Sequence, residues 1–68
     1  MREVRIKTEY ITLGQFLKFV GTIGSGSEAK LFLDNEDVYV NDEKETRRGR
    51  KIYPNYIVRV LGEEYKVV

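Results

Sequence analysis

Four cations fall within seven residues in the stretch Glu45-Thr46-Arg47-Arg48-Gly49-Arg50-Lys51. Three of the four are arginines. A guanidinium is a planar fork of N–H donors that meets two oxygens of a phosphate or carboxylate at once, whereas lysine serves solubility equally well. Gly49 lets a bound backbone approach closely. The chemistry this pattern suits is anion recognition, with phosphate as the functional reading. Two plainer readings stay open on composition alone: a solvated loop, or a partner for the acidic residues just upstream.

Other constellations are weaker. The chain has no histidine and no cysteine, so disulfides and thiolate zinc sites are excluded and only carboxylates could ligate a metal. No nucleophile–base pair suggests itself, so no catalysis and no cofactor are expected. Residues 21–27, "GTIGSGS", lack the Gly-Lys-Ser/Thr of a nucleotide-phosphate loop. They read as a tight link between helices, with one supporting amide–phosphate contact as the lesser alternative. Asp34, Glu36, Asp37, Asp42, Glu43 and Glu45 do not follow the calcium-loop pattern. They read as a solvated acidic side, and the clasp is expected to stand clear of residues 34–45. Lys18 and Lys30 lie on polar helix faces, where ordinary surface is the simplest reading. Tyr39, Tyr53 and Tyr56 either stack on bases or pack the strands and turn, and packing is the simpler of the two.

The net charge of +1 conceals an uneven layout. Residues 1–33 sum to +2, residues 34–45 to −5 and residues 46–68 to +4. A chain that separates its charges in this way can present one basic face while staying near neutral. With 68 residues, 41% hydrophobic and 34% charged, one small globular domain spanning 1–68 is expected. No charged n-region with an apolar h-region opens the chain, and no apolar run approaches the ~18 residues of a membrane span. A soluble, cytoplasmic monomer without membrane contact is the expectation.

The elements that must position these residues are short. Val4 and Ile6 alternate with charges in "REVRIK", which predicts an edge strand. Thr12 and Gln15 have capping-box spacing, Ile11 and Phe16 that of a hydrophobic staple, and Leu13, Phe16, Leu17 and Val20 form a helical stripe. A helix over 12–20 ended by Gly21 follows. Ser25 and Glu28 repeat the capping-box spacing and predict a second helix over 26–34. Ala29, Phe32 and Leu33 face inward there, and Asn35 is a left-handed stop. Val38 and Val40 mark a strand, Asn41-Asp42 a two-residue turn, 43–46 a short return strand, and "IYPNY" a turn. "IVRVL" and "YKVV" flank Gly62-Glu63-Glu64 as a terminal hairpin.

The helix "TLGQFLK", the helix "SGSEAKLFL" and the run "DVYVND…ETRRGRKIYPN" together resemble the S-four RNA-binding domain, specifically its stand-alone YaaA- or YbcJ-like members. The resemblance covers about residues 11–60. It implies an α+β alpha-L fold: two packed short helices on a small twisted antiparallel sheet. It also implies a non-catalytic module for structured RNA, ribosomal or from ribosome assembly, with a ribosomal or other protein as a further partner. Arg47, Arg48, Arg50 and Lys51 would contact RNA, with Lys18, Lys30 and Gln15 at the margin. The wider family often has Arg-Leu-Asp at Thr12-Leu13-Gly14 and Ser-Arg-Ser at Ser25-Gly26-Ser27, so two cations of its usual face are missing. The rival class is an adaptor that docks an acidic protein through the same loop, and a weaker third option is a duplex-DNA binder.

Overall fold

Alternation of apolar and polar residues produces the strands where it is strict. In a computed structural model describing residues 1–68, β1 is Arg2–Val4, β2 Ile11–Thr12 and β3 Val38–Val40. The remaining strands are β4 Glu43–Lys44, β5 Lys51–Ile52, β6 Ile57–Val60 and β7 Glu63–Val67. Val38, Val40, Val58, Val60, Tyr65 and Val67 point to one face and are buried, and the residues between them point outward. Five strands form one sheet in the order β1-β7-β6-β3-β4, and β2 and β5 form a separate antiparallel ribbon.

Two hairpin turns share one geometry, and residue type accounts for the first of them, since Asn and Asp tolerate left-handed backbone and Leu61 does not. Asn41 and Asp42 both take positive φ (51° and 68°), as do Leu61 and Gly62 (50° and 77°), the signature of a two-residue hairpin turn. The terminal hairpin therefore turns at Leu61-Gly62, and Glu63 and Glu64 belong to β7 rather than to the turn. β1 is an edge strand as expected, but it runs parallel to β7, so the sheet is not purely antiparallel. The chain ends tie this pair together through Ile6 N–H to the Val68 carbonyl (3.0 Å) and Val68 N–H to the Val4 carbonyl (2.8 Å).

Helix α1 spans Leu13–Phe19 and α2 spans Ala29–Asn35. In α1, Leu13, Phe16 and Leu17 are fully buried, and Phe16 meets Tyr65 edge-on with centroids 5.5 Å apart. Gly21, at φ 83°, closes the helix: Gly21 N–H donates to the Lys18 carbonyl and Thr22 N–H to the Leu17 carbonyl. The second helix departs from expectation in three respects. Residues 26–28 form a tighter three-residue-per-turn lead-in, so the α-helix begins at Ala29. Phe32 is only half-buried, although Ala29 and Leu33 are buried. Asn35 is the last helical residue rather than a left-handed stop: its side-chain N–H donates to the Leu31 carbonyl at 2.8 Å, and the chain leaves through extended Glu36. Ile23, in the glycine-rich link, is buried in the core. No helix is long and apolar enough to cross a membrane.

Candidate nucleic-acid interface

The basic loop is fastened to the start of α1. The capping box there is closed: Gln15 N–H donates to Thr12 Oγ1 (3.3 Å) and Thr12 N–H to Gln15 Oε1 (3.1 Å). The two remaining first-turn amides reach across to the loop. Leu13 N–H donates to the Arg50 carbonyl (2.8 Å) and Gly14 N–H to the Arg48 carbonyl (2.9 Å). Such amides otherwise go unpaired at a helix start. Here they hold the loop backbone, so this end of α1 serves as an anchor for the clasp and not as an anion site. Gly14 packs closely under the loop without being obligatory: a Cβ there would make ordinary contacts with the Arg48 carbonyl oxygen (3.4 Å) and the Ala29 Cβ (3.5 Å).

The second fastening is Glu45, and here the sequence expectation is corrected. Glu45 is 6% exposed, not solvated. Its Oε2 accepts from Thr46 N–H (3.1 Å), Arg47 N–H (3.0 Å) and Arg47 Nε (3.0 Å). Its Oε1 accepts from Arg47 Nη2 (3.1 Å) and Arg50 Nη1 (2.8 Å). The clasp thus folds back onto the last acid of residues 34–45 instead of standing clear of it. Hydrogen bonding from the Arg47 side chain, the Arg47 amide and Arg50 outweighs burial and holds the Glu45 carboxyl at about 2, far below its ordinary value. The other five acids of the run are exposed, and three pair locally: Asp37 with Lys44 (3.0 Å), Asp42 with Arg59 (3.4 Å) and Asp34 with Lys30 (3.6 Å).

Four cations and one carboxylate leave the loop at +3. The Arg47 side chain stays 73% exposed despite its bond to Glu45, whereas that of Arg50 is 24% exposed. Arg48 is exposed and has no acidic partner. Lys51, in β5, places its ammonium 4.9 Å from the centre of the Tyr10 ring. Arg47, Arg50 and Lys51 line one open cleft with Gly49, Tyr53 and Tyr56. Gln15 and Lys18 line a neighbouring groove with residues 5–12 and Phe19. Tyr10 joins the two, since it lines that groove and contacts both Lys51 and Tyr53. Lys30 lines neither and is engaged by Asp34. Tyr39 is taken up by Arg59, whose guanidinium lies 4.7 Å from its ring centre. No group of three metal-ligating side chains is present.

Sequence reasoning left pairing with the upstream acids as an open alternative without singling out Glu45, and it overlooked Tyr10. The spacing Glu45-x-Arg47-x-x-Arg50 was the available signal for the first; nothing local marks the second.

A sequence model of the S4 domain matches residues 4–68. The chain belongs to the S4 domain family. It is 52% identical over 59 residues to a protein of Bacillus subtilis (strain 168) named probable ribosome maturation protein RlbA. That match covers 87% of this chain and 83% of the relative's own length.

Proposed function

We propose that this S4 domain binds structured RNA, ribosomal RNA or a ribosome-assembly intermediate, without catalysing a reaction. In this reading Arg47, Arg48, Arg50 and Lys51 contact phosphates, and Gln15, Lys18 and Lys30 contribute at the margin. The observation that carries it is the double fastening of the clasp. A loop held by α1 amides and by a buried carboxylate presents its cations already ordered, so less side-chain freedom is lost on binding. Glu45 orients Arg47 without covering it. The Lys30–Asp34 pair is exposed, and such pairs are weak enough to exchange for a phosphate. The family and the maturation role in the relative's name favour RNA over other polyanions, and folded RNA offers phosphates and sugars across a shallow groove.

The test is the salt dependence of binding to a folded ribosomal RNA fragment. If about three to four phosphates are neutralised, log affinity falls against log salt with a slope of roughly −2 to −4. Arg48→Ala lowers that slope by somewhat under ~1 and weakens all competent RNAs alike, with folding nearly unchanged. The double variant Arg48→Ala/Lys51→Ala is the decisive one, because it leaves both partners of Glu45 in place. If it binds RNA as tightly as the parent at physiological salt, the clasp is not the RNA site. Weak, salt-insensitive RNA binding alongside a clasp-dependent response to an acidic polypeptide would instead establish the adaptor.

A further inference from the structure

The cleft lined by Arg47, Gly49, Arg50, Lys51, Tyr53 and Tyr56 combines cations with aromatic rings. Phosphate contact accounts for the cations only. The rings are brought together by the turn Tyr53-Pro54-Asn55-Tyr56, in which Tyr56 N–H donates to the Tyr53 carbonyl (3.1 Å). Proline at the second position and Asn55 at φ 78° make this a type II turn, which sets its first and last side chains side by side. The Tyr53 and Tyr56 centroids are 5.7 Å apart, with planes at 58°, and Tyr10 lies 5.5 Å beyond Tyr53.

These rings are half-buried, yet their hydroxyl groups bond to no protein group. No buried side-chain polar atom lacks a partner, so all three hydroxyls are open to solvent. Gly49 lines the same cleft; a Cβ built on it meets nothing within 4 Å, and it has no positive φ. A side chain at this lining position would therefore be accepted without strain. Tyr39 has the Arg59 guanidinium over its ring and Tyr10 the Lys51 ammonium, whereas no cation lies over Tyr53 or Tyr56.

We propose that this cleft seats one unstacked nucleotide of the bound RNA, its base against Tyr53 and Tyr56 and its phosphate between Arg47 and Lys51. The inference rests on the RNA-binding reading above and sharpens it: the recognised RNA contains a bulge, loop or end, not an unbroken helix. Aromatic faces accept any base, and the cations hold the backbone on either side.

Two RNA hairpins test it, one fully paired and one identical except for a single bulged aminopurine nucleotide, whose fluorescence falls on stacking. The parent protein is expected to bind the bulged hairpin about tenfold more tightly than the paired one, the scale of one stacked base, and to quench its fluorescence. Tyr53→Leu is expected to bring the affinity ratio close to one and abolish the quench. Gly49→Leu adds bulk to the cleft's lining without altering the turn residues and is expected to lower both the ratio and the quench, which covers the case in which Tyr53→Leu perturbs the turn. Equal affinity of the parent for both hairpins, with binding still salt-dependent, overturns the nucleotide seat and leaves the phosphate contacts standing. A ratio that survives both variants places the bulge elsewhere and also overturns it. Failure to bind either hairpin removes both readings.

Discussion

The two helices begin with the same sequence device and end up doing different things. At α1 the Thr12–Gln15 box closes reciprocally, and the spare amides of Leu13 and Gly14 take carbonyl oxygens from the basic loop. At α2 the Ser25 hydroxyl makes no bond to the backbone. It is engaged by Ser27 Oγ (3.0 Å) and Glu28 Oε1 (3.3 Å), while Glu28 N–H takes the Ser25 carbonyl. A second hydroxyl two residues on competes for the same oxygen, and the first turn tightens. Identical spacing thus encodes only the capacity to cap. What distinguishes α1 is the loop laid across its start, and that loop is the candidate binding site. The difference leaves α1 both holding the loop and supplying the more deeply buried helix face, and α2 only packing against the core.

The largest expected contrast lies in the buried faces. Phe16→Ala removes a fully buried ring that also meets Tyr65, and about 3–5 kcal/mol is expected, enough to unfold most of so small a domain. Phe32→Ala removes a half-buried ring, and about 1–2 kcal/mol is expected. Denaturant melts of the two variants measure both values. Equal losses would make the helices equivalent after all.

Glu45 provides the next contrast, because it fastens the loop independently of α1. Its carboxyl titrates at about 2 in the folded chain against an ordinary 4.5. A depressed acid stabilises the fold above its unfolded value, and that contribution is lost as pH falls from 4.5 towards 2. The full shift corresponds to at most about 3 kcal/mol, and screening around the exposed Arg47 side chain reduces it. Glu45→Gln is expected to be less stable than the parent by about 1–3 kcal/mol at neutral pH, with the gap closing between pH 4.5 and 2. Chemical denaturation at a series of pH values reads this directly. A gap that stays constant with pH would mean that the carboxylate charge does not hold the loop.

Local pattern was enough for the parts of the fold that local physics decides. The stripe Leu13-Phe16-Leu17, the pair Val38 and Val40, and the Asn41-Asp42 turn all appear where periodicity and turn chemistry put them. Long-range placement was not legible. Ile23 is a single apolar residue in a Gly/Ser link and carries no period, yet it is part of the buried core. The parallel pairing of β1 with β7 joins the two ends of the chain, which no local signal connects. Glu45 looked like its acidic neighbours because its burial depends on the loop crossing α1. Tyr10 acquires its role only when β2 pairs with β5 and brings Lys51 and Tyr53 alongside.

The smallest effect tests the comparison most directly. Thr12→Ala deletes an oxygen that accepts the Gln15 amide and releases the side chain that caps Thr12 in return. A closed N-cap of this kind is worth about 1 kcal/mol. Ser25→Ala deletes an oxygen bonded only to two exposed side chains, and a few tenths of a kcal/mol is expected, within the usual range for surface substitutions. The consequences should differ in kind as well as size. Loosening the first turn of α1 frees the Leu13 and Gly14 amides that hold Arg50 and Arg48, so amide hydrogen exchange at residues 13 and 14 should quicken in Thr12→Ala. RNA affinity should fall modestly with it, although Thr12 carries no charge. Ser25→Ala should leave both exchange and affinity as in the parent. If the two substitutions prove equal in stability and in exchange, the loop is held by Glu45 alone, and the capped start of α1 is no more than a helix end.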